Sequence, residues 1–200
     1  MRGVGLLAGL GVAGAAAIGT SVVGAGTKPA VVTAGAGLLG VGVVGLAVAG
    51  LDAAAEGRHR PKAASRGPLV STADRIAVLL GSGAVFVRVG LVHVVADPLR
   101  AGGAALMIAA VSTIGVAVGY RTDGFADGLR HGLLACGLGG ALCVTLTAYD
   151  ASRIATSGTF DAVVAGSGLV LPVTFGLFGG VSGVAGWWLA ERFAGIDPLR

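Results

Sequence analysis

The sequence predicts an all-α fold: a polytopic bundle of six membrane-spanning helices. Three observations carry that expectation. Charged residues make up 12% of the 200 positions, about half the roughly 25% of a water-soluble domain. Hydrophobic residues make up 54% and the mean hydropathy is +0.89, so the chain has too few polar groups to cover a surface in water. The apolar residues come in blocks of about 20, the length that crosses a hydrocarbon core of ~30 Å. The blocks do not alternate apolar and polar residues, and in lipid that leaves the helix as the spanning structure. Glycine is abundant, at 38 residues, without a Gly-X-Y period. That excludes collagen and suits helices whose backbones approach closely.

Residues 1–51 read as an N-terminal transmembrane hairpin. Its first segment is Val4 to Val23 and its second Pro29 to Leu51, with Gly24 to Lys28 as the turn. Arg2 before an apolar run and the small residues of AGAAA would also suit a signal peptide. Both segments contain G-x-G-x-x-G, as GLGVAG and GVGVVG. A dinucleotide site would need a strand before the motif and an acidic residue about 20 positions after it. Nothing acidic follows the first motif before Asp52, and the region about 20 residues after the second is the basic loop, so the glycines read as a packing face.

Asp52 to Arg75 is the one long polar stretch, and it holds Arg58, Arg60, Lys62, Arg66 and Arg75. It reads as a basic cytoplasmic loop. A four-helix transmembrane domain, 76–192, follows. Its spans are Ile76 to Ala96, Ala101 to Tyr120, Leu129 to Tyr149 and Ala162 to Leu189, joined by polar loops, with 193–200 as a short tail. Asp-Gly steps in RTDGFADGLRHG mark a turn. With these limits no Asp or Glu falls inside a span.

Lys and Arg are retained on the cytoplasmic side of a membrane. Six spans put ten of the 14 on one side and Lys28, Arg100 and Arg153 on the other, with Arg88 inside a span. Both termini are therefore expected in the cytoplasm, and the chain in the cell membrane. Tyr120, Tyr149, Phe160, Trp187 and Trp188 fall at span ends, where amphipathic rings favour the headgroup region. The same distribution argues against nucleic acid as a partner, because few aromatics accompany the basic residues to stack bases.

Arg88 is the sharpest anomaly. A charge at the bilayer centre costs about 2.5–3.5 kcal/mol on insertion scales. Two arrangements would lower that cost. The long stem could carry the guanidinium to the outer headgroups, or the side chain could turn inward to a hydroxyl or carbonyl. Pro172 leaves the carbonyl of Gly168 without its helical donor, and Thr113, Thr145 and Thr174 offer hydroxyls. Arg88, His93, Pro172 and Thr174 are thus the candidates for a polar pathway. His93 is five residues from Arg88 and on a different face of the helix.

No catalytic, cofactor-binding or metal-binding set emerges. The three histidines are scattered without ligand spacing. Asp123 and Asp127 lie beside Arg121 and Arg130 and read as a loop cluster. Serines and threonines in the spans have no neighbouring base. Cys136 and Cys143 are seven apart, about 10 Å along one helix, too far for a disulfide. Small residues recur four apart at Gly5/Gly9, Gly115/Gly119, Gly132/Cys136/Gly140, Gly176/Gly180 and Gly179/Gly183, and this spacing brings helices together.

One stretch resembles a group of small multi-pass archaeal membrane proteins of no assigned activity. The matching residues are Gly119, Tyr120, Asp127, Gly128, Arg130 and Gly132, then Gly179, Gly180 and Gly183, within about 75–192. The first two spans are an addition to that pattern. The resemblance implies a membrane bundle and carries no activity.

The expected function is a helix-packing or accessory membrane protein, not an enzyme and without a cofactor. Its partners would be the bilayer and either other copies of itself or other membrane proteins. A second reading is a transporter or channel for a small solute or ion, with Arg88 and the Pro172 break lining a polar path. The orientation is testable with Lys62→Cys and Ala155→Cys, each in a chain freed of native thiols. An impermeant maleimide added to intact cells should modify position 155 and spare position 62; the reverse pattern overturns the orientation.

Overall fold

A backbone in lipid must hydrogen-bond within its own segment, and every long apolar block of this chain does so as an α-helix. The structure is a computed structural model that describes residues 2–23, 29–58, 72–95, 101–154 and 157–193. It contains α1 (Arg2–Val23), α2 (Pro29–Arg58), α3 (Thr72–Val95), α4 (Ala101–Gly119), α5 (Phe125–Ile154) and α6 (Ser157–Phe193). Among the described residues there is no strand, so the two glycine motifs lie within α1 and α2. Five of the helices, α2 to α6, are long and apolar enough to cross a membrane. The apolar stretch described in α1, Ala8–Ile18, is shorter.

The directions of the helices follow from which residues meet. Gly132 of α5 faces Gly179 of α6, and Gly128 faces Gly183. One number rises as the other falls, so these two helices are antiparallel. Ala36 of α2 meets Gly168 of α6, and Gly40 meets Pro172, a constant offset that makes α2 and α6 parallel. Gly115 and Gly119 of α4 meet Gly179 and Gly183, again parallel. Gly139 of α5 meets Val85 of α3 and Ala135 meets Gly81, so those two are parallel as well. Even-numbered helices therefore run one way and α3 and α5 the other, the serpentine that successive membrane crossings require.

The α5–α6 pair is the centre. Around it, α4 leans on α6, α3 on α5, and α2 on both, with α1 outermost against α2. Two clusters fill the interior. One joins Val32 and Ala36 to Val144, Ala148, Phe160 and Val164. The other joins Val85, Val89 and Val111 to Cys136, Cys143 and Phe175. Both cysteines are free and buried.

The helices outrun the apolar blocks, which corrects several limits read from sequence. Residues 52–58 and 72–75, assigned above to the basic loop, are helical, while 59–71, with Arg60, Lys62 and Arg66, lie outside the described residues. α5 starts at Phe125 and ends at Ile154, and α6 starts at Ser157. Spans so extended do hold acids: Asp127, Asp150, Asp161 and Glu191. The reason is that the hydrogen-bond ladder needs no apolar side chain, and polar residues near a helix end can meet the headgroup region. Asp127 in the first turn of α5 and Arg153 in its last turn also suit the helix dipole. Phe160 departs from the expected aromatic belt, because it is buried against α2 and α5. Tyr120, Tyr149 and Trp188 are exposed.

No described residue has a positive φ, so no described glycine serves an unusual backbone, and those on the helix seams serve close approach. A Cβ at Gly179 would stand 2.5 Å from the Gly132 carbonyl, and one at Gly140 would stand 2.7 Å from that of Leu171. A Cβ at Gly166 would meet nothing within 4 Å. Gly132→Ala should therefore destabilise the protein by about 1–3 kcal/mol, as overpacking does. Gly166→Ala should be neutral or gain up to about 1 kcal/mol from helix propensity. Unfolding in mixed micelles measures both, and equal effects would remove the close-contact account.

Candidate functional site

The four candidates for a polar pathway are set apart from one another. Arg88 lies on α3 with its side chain exposed on the outside of the bundle, and its Nη1 donates to Thr113 Oγ1 on α4. Thr113 in turn donates to Ala110 O at 2.9 Å. Thr113 was one of the acceptors weighed from sequence; the Gly168 carbonyl is not used. The bond runs towards the middle of the helices. Arg88 is seven residues, about 10 Å, from the α3 end at Val95, and Thr113 is 11 residues, about 17 Å, from Gly102 at that same end of the bundle. Helical side chains tilt towards their own N-terminus, and α3 begins at the opposite, basic end. The outward reach to the headgroups by the nearer route is thus not the arrangement adopted.

Pro172 is fully buried at the junction of α2, α5 and α6. Its ring fills the space left by Gly40, where a Cβ would stand 2.5 Å from Pro172 Cγ and 2.8 Å from Gly168 O. The carbonyl freed by the proline thus abuts the α2 backbone. Thr174 is half-buried two residues on.

His93 turns to α5, where its Nε2 is 2.7 Å from Asp150 Oδ2. Sequence reading missed this pair by ending the fifth span one residue early. The available signal was a shared depth, since α3 and α5 end together. Asp161 was missed too, because it was placed in a loop. It is buried, and its Oδ1 has no hydrogen-bond partner. The α2–α6 register places it level with Pro29, the first residue of α2, where the helix dipole favours an anion.

The glycines named from sequence on α4, α5 and α6 lie against a neighbouring helix, but Gly9 of α1 does not, since a Cβ there would meet nothing within 4 Å. Gly115 and Gly119 of α4 and Gly132 of α5 meet Gly179 and Gly183 of α6, and Gly140 of α5 meets Leu171 and Pro172. On α6, Gly183 meets Gly128, Gly176 lies 3.4 Å from the Leu133 carbonyl, and Gly180 lies 3.1 Å from a Leu129 methyl, each measured from an added Cβ.

Of the loop cluster, Arg130 reaches Asp127 at 3.5 Å, and His131 Nδ1 lies 2.8 Å from the Asp127 carbonyl. Among the described residues no three His, Cys, Asp or Glu gather into a metal site.

A groove of 970 Å³ opens between α2 and α3, floored by α5. α2 and α3 do not touch among the described residues. Leu38, Val41, Leu79 and Leu142 line it, and it includes none of Arg88, His93, Pro172 and Thr174. Its serine and threonine hydroxyls donate to carbonyls of their own helices: Thr33 to Pro29 at 2.8 Å, Ser82 to Leu79 at 2.9 Å, Thr145 to Leu142 at 2.7 Å and Ser152 to Tyr149 at 2.6 Å. What the groove offers is therefore a mostly apolar surface.

The His93–Asp150 contact is a polar tie between α3 and α5. A double-mutant cycle with His93→Ala and Asp150→Ala should give a coupling of about 0.5–3 kcal/mol, read from unfolding in micelles; additive effects would show that the contact contributes nothing to holding α3. No protein-family model, no curated protein and no solved structure matches the chain.

Proposed function

We propose that this integral membrane protein works through contacts, as a helix-packing or accessory protein of the membrane, and not as an enzyme. The observation that carries the reading is the way the α2–α5–α6 junction is filled. Pro172, the residue best suited to break a helix and open a path, is buried against Gly40 and Gly140. Arg88 faces the other way, outside the bundle. A transport path near the midplane would bring a broken helix and polar side chains around one cavity, and here they point apart. The serines and threonines of the groove are bonded within their own helices, which leaves few polar groups to handle a solute. The excess of Lys and Arg at one end supports an orientation with both termini in the cytoplasm, in the cell membrane.

The test is flux. Purified protein reconstituted into vesicles should pass small ions and neutral solutes no faster than empty vesicles, for wild type and Arg88→Ala alike. A wild-type flux that Arg88→Ala abolishes would replace this reading with a transporter or channel.

A further inference from the structure

We propose that the α3–α4 face around Arg88 is a docking surface for a transmembrane helix of another protein, one that carries an Asp or Glu near its midpoint. The proposal rests on the reading that this chain works by contacts, and it names the surface and the chemistry of the partner.

The argument begins with hydrogen bonds. A guanidinium has five N–H donors and no acceptor. Among the described residues, the one hydrogen bond of Arg88 goes to Thr113, whose own proton is already given to Ala110 O. The remaining donors face outward from the bundle, at a depth where no water is present to receive them. Ionisable residues within spans almost always face a bundle interior or pair with another polar group. This one faces outward, and its one partner among the described residues is the neutral Thr113 hydroxyl, so no opposite charge meets it within its own chain.

Depth then selects the occupant. The guanidinium is drawn towards Thr113, between about 10 and 17 Å from the nearer end of the helices. Half of a hydrocarbon core is about 15 Å, so a lipid phosphate reaches this group only if the bilayer thins. Among the described residues a second copy of the chain offers no carboxylate at this level, because their Asp and Glu fall towards the helix ends. A carboxylate on another helix, at the same depth, supplies both the opposite charge and paired acceptors in the geometry a guanidinium matches.

The surroundings admit such a helix. On α3, Val87 and Leu91 beside Arg88 are exposed. On α4, Ala105, Ala109, Thr113 and Ala117 recur four apart, and all are exposed. A row of small side chains beside the arginine lets a second backbone come near enough for its acid to reach Arg88.

The test uses labelled full-length protein in phosphatidylcholine vesicles with synthetic polyleucine helices of about 20 residues. The helices carry Glu, Gln or Leu at the centre, or Glu near one end, and energy transfer reads association in mildly alkaline buffer. The central-Glu helix should bind wild type about five- to thirtyfold more tightly than the all-Leu helix. Arg88→Leu should bring the two within about twofold, with unchanged helicity and elution in detergent, because the side chain fills no core. Glu near the end should lose most of the advantage. Equal binding of Glu and Leu helices to wild type overturns the proposal. So does energy transfer between wild-type copies that Arg88→Leu removes, which would make the occupant a second copy. A Glu preference that vanishes when phosphatidylglycerol is added would assign the face to lipid phosphate and overturn it too. Failure here with flux still at background leaves the contact reading standing, whereas Arg88-dependent flux removes that reading itself.

Discussion

Backbone against backbone, with no side chain between, is the contact on which this bundle depends. Lipid tails are as apolar as leucine, so burying leucine gains little inside a membrane, and helices associate by close packing instead. The α5–α6 seam does this along most of its length, at Gly128 and Gly183, Gly132 and Gly179, and Gly140 and Leu171. α4 joins the same seam through Gly115 and Gly119. Three helices therefore share one narrow axis, and α2 and α3 dock on what that axis leaves. The wide α2–α3 groove is the consequence: two helices that each follow α5 closely, on different faces, do not meet.

Pro172 shows how the seam turns a weak point into a fixed one. A proline in mid-helix removes a hydrogen bond and displaces the carbonyl four residues earlier. On its own, that is the start of a hinge. Here Gly40 of α2 and Gly140 of α5 bring their backbones onto the ring from two sides, and Gly168 lies directly against Ala36. The ring fills space that a side chain would otherwise need. Movement of α6 about Pro172 would have to open contacts to two helices together, which is a large demand for a carbonyl that lacks one partner.

The helices themselves were legible because hydropathy in blocks of 20 is a one-dimensional signal. The glycine faces were legible for a related reason, since a spacing of four places residues on one side of a helix whatever it meets. The ends were not. Asp150 and Asp161 were assigned to loops because they are polar, yet a helix continues through polar residues until its ladder stops. Phe160 followed the same error; an aromatic at an assumed end became a belt residue, although the helix that holds it starts three residues earlier and turns it inward. The direction of Arg88 was not legible either. Its place along α3 could be counted, but the face it occupies depends on where α4 and α5 dock, and that is set by Gly81 and Gly139 on their partners.

That last dependence gives Arg88 its meaning. α3 docks on α5 through Gly81, Val85 and Val89, which fixes the inner face of the helix. A residue three places after Val85 and one before Val89 falls to the side of that face, where α4 brings Thr113 alongside. Five places on, the turn of the helix carries His93 back towards α5, where Asp150 receives it. One helix thus presents two ionisable groups with opposite fates. His93 is tied to a carboxylate of its own chain near the end of the bundle, where water can relieve any mismatch. Arg88 has only a hydroxyl, in the region where mismatch is most expensive. Within a single chain the second arrangement is poorly satisfied, and the remedy that matches the first is a carboxylate brought from outside.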